Sequence, residues 1–407
     1  MEAVSTEALI IGAGPAGSVA GAILRQRGHE VLCLEAGTFP RFVIGESLLP
    51  RCNDILDEAG LLDAVQARGF MPKPAAMFLK AGETDRFSFA DMFPGQRPAA
   101  LQVPRADFDQ ALATAARAKG VDVRFQQRVD AIDPGAAGST LQVTDTERGE
   151  RYEVRAKFVL DCSGYGRVLP RLLKLEKPPA LSPKVAVFSH YEGDVRPAGD
   201  REGDIWVCIH PRGAWIWIIP FSNGRTSVGV VAERELIDSA GATDRERLEA
   251  LLREDANAWK RLQHATPVMK TTRLESWSAS VTSFHGPGWA LTGNASEFLD
   301  PVFSSGVTLA LESSHRAAKL ASRQLMGERV DWNEYSAQMA QAVGVFRVFV
   351  MAWYDGRLQR LLLNRGKSEQ IKRAITAVLG GYVLDERNPF VRDTEGTLNA
   401  ALKLMAA

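Results

Sequence analysis

Apolar residues follow three rhythms along this chain. The first is a short solid run from Ala8 to Ile11, then small and apolar residues recurring through Leu24, then a second compact run, "EVLCLE", ending on Glu35. Short apolar runs flanked by turn residues read as buried strands, so this opening predicts strand, helix, strand. The second rhythm is alternation. "KVAVFSHYEG", "GDIWVCIH", "AWIWIIPF" and "TSVGVVAE" all fall between about residues 179 and 270. Period-two patterning of this kind predicts an antiparallel sheet of about four strands. The third begins near residue 331, where "WNEYSAQMAQAVGVFRVFVMAWYDGRLQRLLL" spaces its apolar residues by three and four. That is the pattern of amphipathic helices lying on a body. The whole predicts an α/β protein.

The turn after the first strand carries chemistry. Gly12, Gly14 and Gly17 stand in G-x-G-x-x-G spacing, with Ala16 inside the same turn. Gly12 permits the tight turn, Gly14 lets the backbone approach a pyrophosphate, and Gly17 lets helix and strand pack closely. The helix N-terminus then offers free N–H groups to the phosphates. Glu35, at the end of the second strand, stands where a carboxylate accepts ribose hydroxyls; it suits an unphosphorylated ribose and so favours FAD or NAD over NADP. A glycine turn alone is equally well a structural device. With strand, helix, second strand and acid in register, it predicts a Rossmann-like dinucleotide-binding fold.

Composition narrows the remaining possibilities. The 407 residues are 45% hydrophobic and 24% charged, with 49 basic residues against 49 acidic ones. No net positive field exists to recruit nucleic acid or an anionic membrane, which leaves small-molecule work. Cys33, Cys52, Cys162 and Cys208 are scattered without C-x-x-C spacing, and read as buried free thiols in a reducing cytoplasm. No uncharged apolar stretch reaches the length of a membrane span, and acidic Glu2 and Glu7 precede the first apolar run, unlike a signal peptide. The six histidines are isolated, so no metal site is expected.

"FPRFVIGESLLP", "QVPRADFDQALATAARAKGVDVRF", "FVLDCSGYGRVLPRLL" and "GWALTGNASEFLDPVFSSGVTLALESSHRAAKLA" together resemble the FAD-dependent aromatic hydroxylase superfamily. The resemblance implies a three-layer ββα FAD-binding fold over residues 1–325, interrupted by the alternating sheet, with residues 326–407 as a helical cover. It also implies cofactor contacts from Arg41, Ser47, Arg105, Val129, Asn294, Pro301, Gly306 and Val307. The superfamily turn usually reads G-D-A; Asn294 here keeps a hydrogen-bonding side chain without the charge. Arg105 read by itself is equally an arginine capping a surface turn.

Two further motifs resemble a narrower group, the flavin-dependent halogenases. "WIWIIP", Trp215 to Pro220, fits W-x-W-x-I-P, and "FLDPVFSSG" fits F-x-x-P-x-x-S-x-G through Phe298, Pro301, Ser304 and Gly306. Alternate residues of a strand share a face, so the resemblance implies that Trp215 and Trp217 wall the flavin off from the substrate. It further implies halide held near Ser304, Ser305 and Gly306, reduced FAD from a flavin reductase, O2 as co-substrate, and hypohalous acid passed to a lysine. "RGFMPKPAAMFLKAG" aligns Lys73 with that lysine, and Lys80 is the substitute. The plain alternatives are a core strand with two tryptophans and a surface lysine in a proline-flanked loop.

Relatives that act on free tryptophan carry a glutamate before the motif serine, where this chain has Phe303. That departure, with the "DPVFSSG" wording, points to an electron-rich phenol or pyrrole, free or tethered to an acyl carrier protein. Phe346, Phe349, Trp353 and Tyr354 either roof the substrate or pack in the core. The rival activities are a flavin monooxygenase or dehydrogenase of the same fold, and an idle FAD-binding subunit of a biosynthetic cluster.

Overall fold

Strand Val4–Ile11 reads as a solid apolar run because it is covered on both sides. Ala8 and Ile10 pack with the helices, whereas Leu9 and Ile11 pack with a β-meander on the opposite face. The computed structural model describes residues 4–179, 181–275 and 277–406. Val4–Ile11 pairs in parallel with Val31–Leu34 on one side and Glu150–Asp161 on the other. Asp122–Arg124 and Trp289–Leu291 extend the parallel array. Helix Pro15–Gln26 packs against both Arg105–Ala118 and Ser305–Leu325 over one face. Strands Gln127–Asp133, Ser139–Asp145 and the first half of Glu150–Asp161 form the antiparallel meander over the other. Meander, parallel sheet and helices make the three-layer ββα arrangement.

The second sheet explains the alternating region. Trp215, Trp217 and Ile219 of strand Trp215–Pro220 share an inward face with Ala186, Phe188 and Val231 and join the main core. Ile216 and Ile218 point the other way, onto Leu248, Leu251 and Leu252 of helix Asp244–Glu254. The sheet has eight strands where the sequence predicts about four, and it continues to Thr272–Glu275. The hairpin Ala75–Lys80 and Glu83–Ser88 adds itself to Ile205–Ile209 through a parallel pairing. The sheet is therefore mixed. Without that hairpin Ile205–Ile209 would be an open apolar edge, which folds avoid by covering it.

Trp217 has a dedicated seat. Gly229 lies opposite it in register, with Phe188 on the far side of the glycine. A Cβ at Gly229 would stand 2.2 Å from Trp217 Cζ2 and 2.7 Å from Phe188 Cβ. The ring lies across bare backbone, and Trp217 Nε1 donates to Ser227 Oγ at 3.0 Å.

The C-terminal portion forms helices Trp332–Tyr354, Arg357–Leu363, Glu369–Leu379 and Thr394–Ala406, with a short turn at Pro389–Arg392. All four cysteines are buried and free. No described helix is long and apolar enough to cross a membrane.

Gly229→Ala is expected to destabilise the fold by about 1 to 3 kcal/mol through overpacking. It should also change the near-UV circular dichroism of the displaced indole. Denaturant unfolding with near-UV spectra checks both effects together.

Candidate active site

The two sheets enclose a cavity of about 420 Å³. It opens at the C-terminal ends of the parallel strands, marked by Ile11, Leu34, Cys162 and Thr292, the edge where open α/β sheets hold ligands. Gly12, at φ +97°, makes the turn there, and a Cβ on it would stand 2.7 Å from the Cys162 carbonyl oxygen. Gly14 and Ala16 line the cavity. Gly17 lies behind them: a Cβ on it would meet the Gly12 carbonyl oxygen at 1.9 Å, so its work is close packing of helix on strand. Gly14 is the N-cap of Pro15–Gln26 and makes no side-chain cap, which leaves the first amide groups for a ligand.

At this end Glu35 is buried, its Oε2 accepting from the Ala13 amide at 3.0 Å and its Oε1 from the Gly37 amide at 2.9 Å. Each carboxylate oxygen has a further lone pair. Arg41 Nη2 lies 3.8 Å from Glu35 Oε2, and Val129 borders the same space.

The opposite end is aromatic. Trp215 and Trp217 face the cavity with ring centroids 5.8 Å apart. Trp277 and Phe188 complete that wall. Trp215 Nε1 donates to the Tyr354 hydroxyl at 3.1 Å, which donates to Asp300 Oδ2 at 2.8 Å. Burial pushes the Asp300 carboxyl up to about 6. Asn294, Pro301, Ser304, Gly306 and Val307 also line the cavity. Ser304, at φ +57°, is the N-cap of Ser305–Leu325 and makes no side-chain cap. Ser305 is buried in the first turn.

The loop between these ends is pinned from below. Arg105 borders the cavity, but Nε and Nη2 bind Asp109 at 2.8 and 3.0 Å, and Nη1 reaches the carbonyls of Ile44 and Gly45 at 3.1 and 3.3 Å. Arg105 is therefore chiefly the clamp of the loop that carries Glu46 and Ser47. Both of these line the cavity, and Glu46 Oε2 and Ser47 Oγ are buried without a partner. An unsatisfied buried polar atom costs about 1 to 3 kcal/mol, so these atoms suit the polar groups of a ligand. Glycine cradle, uncapped helix ends and the orphaned Ser47 hydroxyl together fit a dinucleotide cofactor.

Lys73 ends the strand Met71–Lys73 and is only 1% exposed. The surface-loop alternative is thus incorrect: pairing of this strand with Ala100–Gln102 draws it inside. Nζ donates to the Leu48 carbonyl at 2.9 Å and lies 5.5 Å from the Phe89 ring centre. No carboxylate pairs with it among the described residues, and burial lowers its pKa to about 7. Lys73 does not line the cavity; its hydrogen-bond acceptor, Leu48, directly follows the wall residues Glu46 and Ser47. Lys80 is exposed. Phe303 packs edge-on to Phe349 and Trp353, with centroids at 6.0 and 5.9 Å, and Trp353 meets Phe78 at 5.8 Å. Phe346, Phe349 and Trp353 are core residues, while Tyr354 ties the core to Trp215.

Trp277, Gly229, Glu46 and the Tyr354–Asp300 tie were not anticipated. Glu46 had one signal, its place beside Ser47 in "IGESLLP". No group of acids, histidines and cysteines suited to a metal occurs among the described residues.

Residues 5–342 match the family described as FAD binding domain. The 1H-pyrrole-2-carbonyl-[peptidyl-carrier protein] brominase of Pseudoalteromonas luteoviolacea is 31% identical over 81% of this chain and 79% of its own. The crystal structure of a flavoprotein/dehydrogenase from Cytophaga hutchinsonii superimposes with TM-score 0.95 at 41% identity, covering 99% of both chains. The myxobacterial chondrochloren halogenase CndH superimposes with TM-score 0.81 at 29% identity, covering 93% of this chain and 90% of that one. The chain belongs to the FAD-binding flavoproteins and, within them, to the flavin-dependent halogenase family. It is an oxidoreductase-type enzyme that uses FAD and halide.

The buried amine makes stability depend on pH. Above its folded pKa of about 7 Lys73 is neutral in the fold but still protonated in the unfolded chain, so the unfolded state binds more protons and stability rises with pH up to the usual lysine range near 10.4. Lys73→Met is expected to abolish that rise and to be more stable than wild type at pH 6. Urea unfolding between pH 6 and 10 measures it.

Proposed function

We propose that this enzyme halogenates an electron-rich aromatic, a phenol or a pyrrole, through hypohalous acid guided by Lys73. The observation that carries the reading is the pairing of a tryptophan wall on the cofactor cavity with a buried, unpaired amine held on the segment behind that cavity. When bound, FAD supplies the electrons with which O2 turns halide into hypohalous acid. Gly12, Gly14, Ala16 and Glu35 hold its dinucleotide end, with Arg41 and Val129 beside them. Asn294, Pro301, Gly306 and Val307 frame the flavin end. Halide rests against the uncapped helix start at Ser304, Ser305 and Gly306, where free amide groups favour an anion. Trp215 and Trp217 keep the arene away from the ring.

Lys73 then receives the oxidised halogen. With its pKa brought down to about 7, a large fraction is neutral near physiological pH and has a lone pair for this task. Phe303 places no carboxylate beside the arene, so the substrate's own heteroatom supplies the electron push. That favours phenols and pyrroles, and the carrier-bound pyrrole of the brominase relative supports a tethered substrate. The reductant is supplied by a flavin reductase acting as partner.

A second reading, a monooxygenase or dehydrogenase without halogen transfer, is favoured by the relative described as a flavoprotein/dehydrogenase. Reduced FAD, O2 and bromide are offered to the enzyme with phenols, pyrroles and indoles, and mass spectrometry is run beside flavin absorbance. Wild type is expected to brominate a phenol or a pyrrole. Lys73→Ala should lose at least about 100-fold of the product, a size common for a positioned catalytic group, while flavin oxidation continues. Equal bromination by both proteins removes Lys73, and oxygenated or desaturated product independent of bromide favours the second reading.

A further inference from the structure

Glu46 is a buried carboxyl group on the cavity wall, in the loop between its two ends. Its Oε1 lies 2.9 Å from His190 Nε2, across 144 residues of sequence, and its Oε2 has no partner. His190 sits on the inward face of strand Val185–Glu192, two residues beyond Phe188, whose ring centre is 5.9 Å from that of Trp217. The imidazole is held edge-on between Phe42 and Phe221, at 5.8 and 5.3 Å, and its side chain remains 10% exposed. A largely buried imidazole, its ring nitrogen, a carboxyl group and an unpartnered oxygen thus run in sequence towards the cavity wall.

Halogenation needs such a connection, and the inference rests on that reading. An arene C–H, a halide anion, O2, the flavin carrying two hydrogens and one proton give the carbon–halogen bond, oxidised flavin and two waters. One proton is consumed per turnover, in a compartment lined mostly by apolar side chains.

We infer that Glu46 and His190 are the path by which this proton enters the flavin compartment. The Glu46 O–H bond breaks and its proton joins an O2-derived oxygen atom on its way to water, while the electrons come from the reduced flavin. His190 Nε2–H restores the carboxyl proton and is itself reprotonated from solvent. The other titratable groups on the cavity have separate positions. Glu35 and Arg41 are held together at the dinucleotide end, and Arg105 lies under Gly45, neutralised by Asp109. Tyr165 lies edge-on to Phe298 and is partly exposed. Glu192, next along the histidine strand, pairs with Arg225.

The test separates a proton path from a cofactor contact. FAD binding is measured by fluorescence titration for wild type, Glu46→Gln, Glu46→Ala and His190→Asn. Hypobromite formation by the reduced, FAD-loaded proteins is followed without arene, using monochlorodimedone as scavenger. Glu46→Gln should bind FAD within about twofold of wild type yet form hypobromite at least about 100-fold more slowly. His190→Asn should show a smaller loss, and formic acid should restore Glu46→Ala in proportion to its concentration. Wild-type rates in Glu46→Gln overturn the inference, as does a formic acid effect of zero in Glu46→Ala that still binds FAD. Loss of FAD binding in both Glu46 variants also overturns it and makes Glu46 a cofactor anchor. A wild type that forms no hypobromite removes the halogenation reading and this inference with it, whereas active wild type with unchanged variants removes the inference alone.

Discussion

A buried ion pair underlies the geometry of the site. Arg105 and Asp109, one helical turn apart, are almost wholly enclosed, and the free end of the guanidinium reaches the carbonyls of Ile44 and Gly45. Burying two charges is costly unless their geometry is good and their remaining donors are met. Here a forked contact to the carboxylate and two backbone carbonyls meet that condition. The following residues inherit the placement: Glu46 and Ser47 face the cavity, and the Leu48 carbonyl faces Lys73. One short segment thus touches the cofactor compartment and the amine at once.

The amine sits against ordinary packing logic. A lysine with a single carbonyl partner and no counter-charge destabilises the fold in its protonated form, and burial brings its pKa down to about 7. Perturbations of this kind concentrate where chemistry requires them. The tryptophans, by contrast, are fully accommodated. Trp217 rests on Gly229 and bonds Ser227, while Trp215 is tied through Tyr354 to Asp300, next to the cavity-lining Pro301. The wall is consequently rigid on both sides, held by the sheet at one indole and by the C-terminal helix at the other.

What the chain revealed in advance was whatever depends on near neighbours. The solid run at Ala8 to Ile11, the glycine turn and the acid at Glu35 are local, and each takes its expected place in the structure. The inward face of Trp215 and Trp217 follows from period two. Non-local pairings were hidden. Nothing in "AAMFLKAGETDRFS" announces that it joins a sheet more than 100 residues downstream, and two of the sheet's eight strands come from it. Gly229 looked like any strand glycine until its register against Trp217 was known. Arg105 does border the cavity, but its second task, the pairing with Asp109 that clamps the loop, depends on a tertiary contact the sequence does not display. Glu46 was silent for the plainest reason, since its partner lies on the other sheet.

In the function we propose, these placements divide the labour between the cavity and the buried amine behind it. The cavity is walled by indole and bordered by Glu46 and Ser47, and the proposed function requires a small diffusible species to pass from it towards Lys73. A flavin oxygenase benefits from bringing its arene against the ring; in the function we propose, the wall of Trp215, Trp217, Phe188 and Trp277 keeps the two apart. Hypohalous acid is small enough to cross, and a neutral amine is a better partner for it than an ammonium. In the reaction we propose, the burial that makes Lys73 unfavourable for the fold is what suits it to the task, and the clamp at Arg105 fixes the segment that joins the cavity wall to the amine.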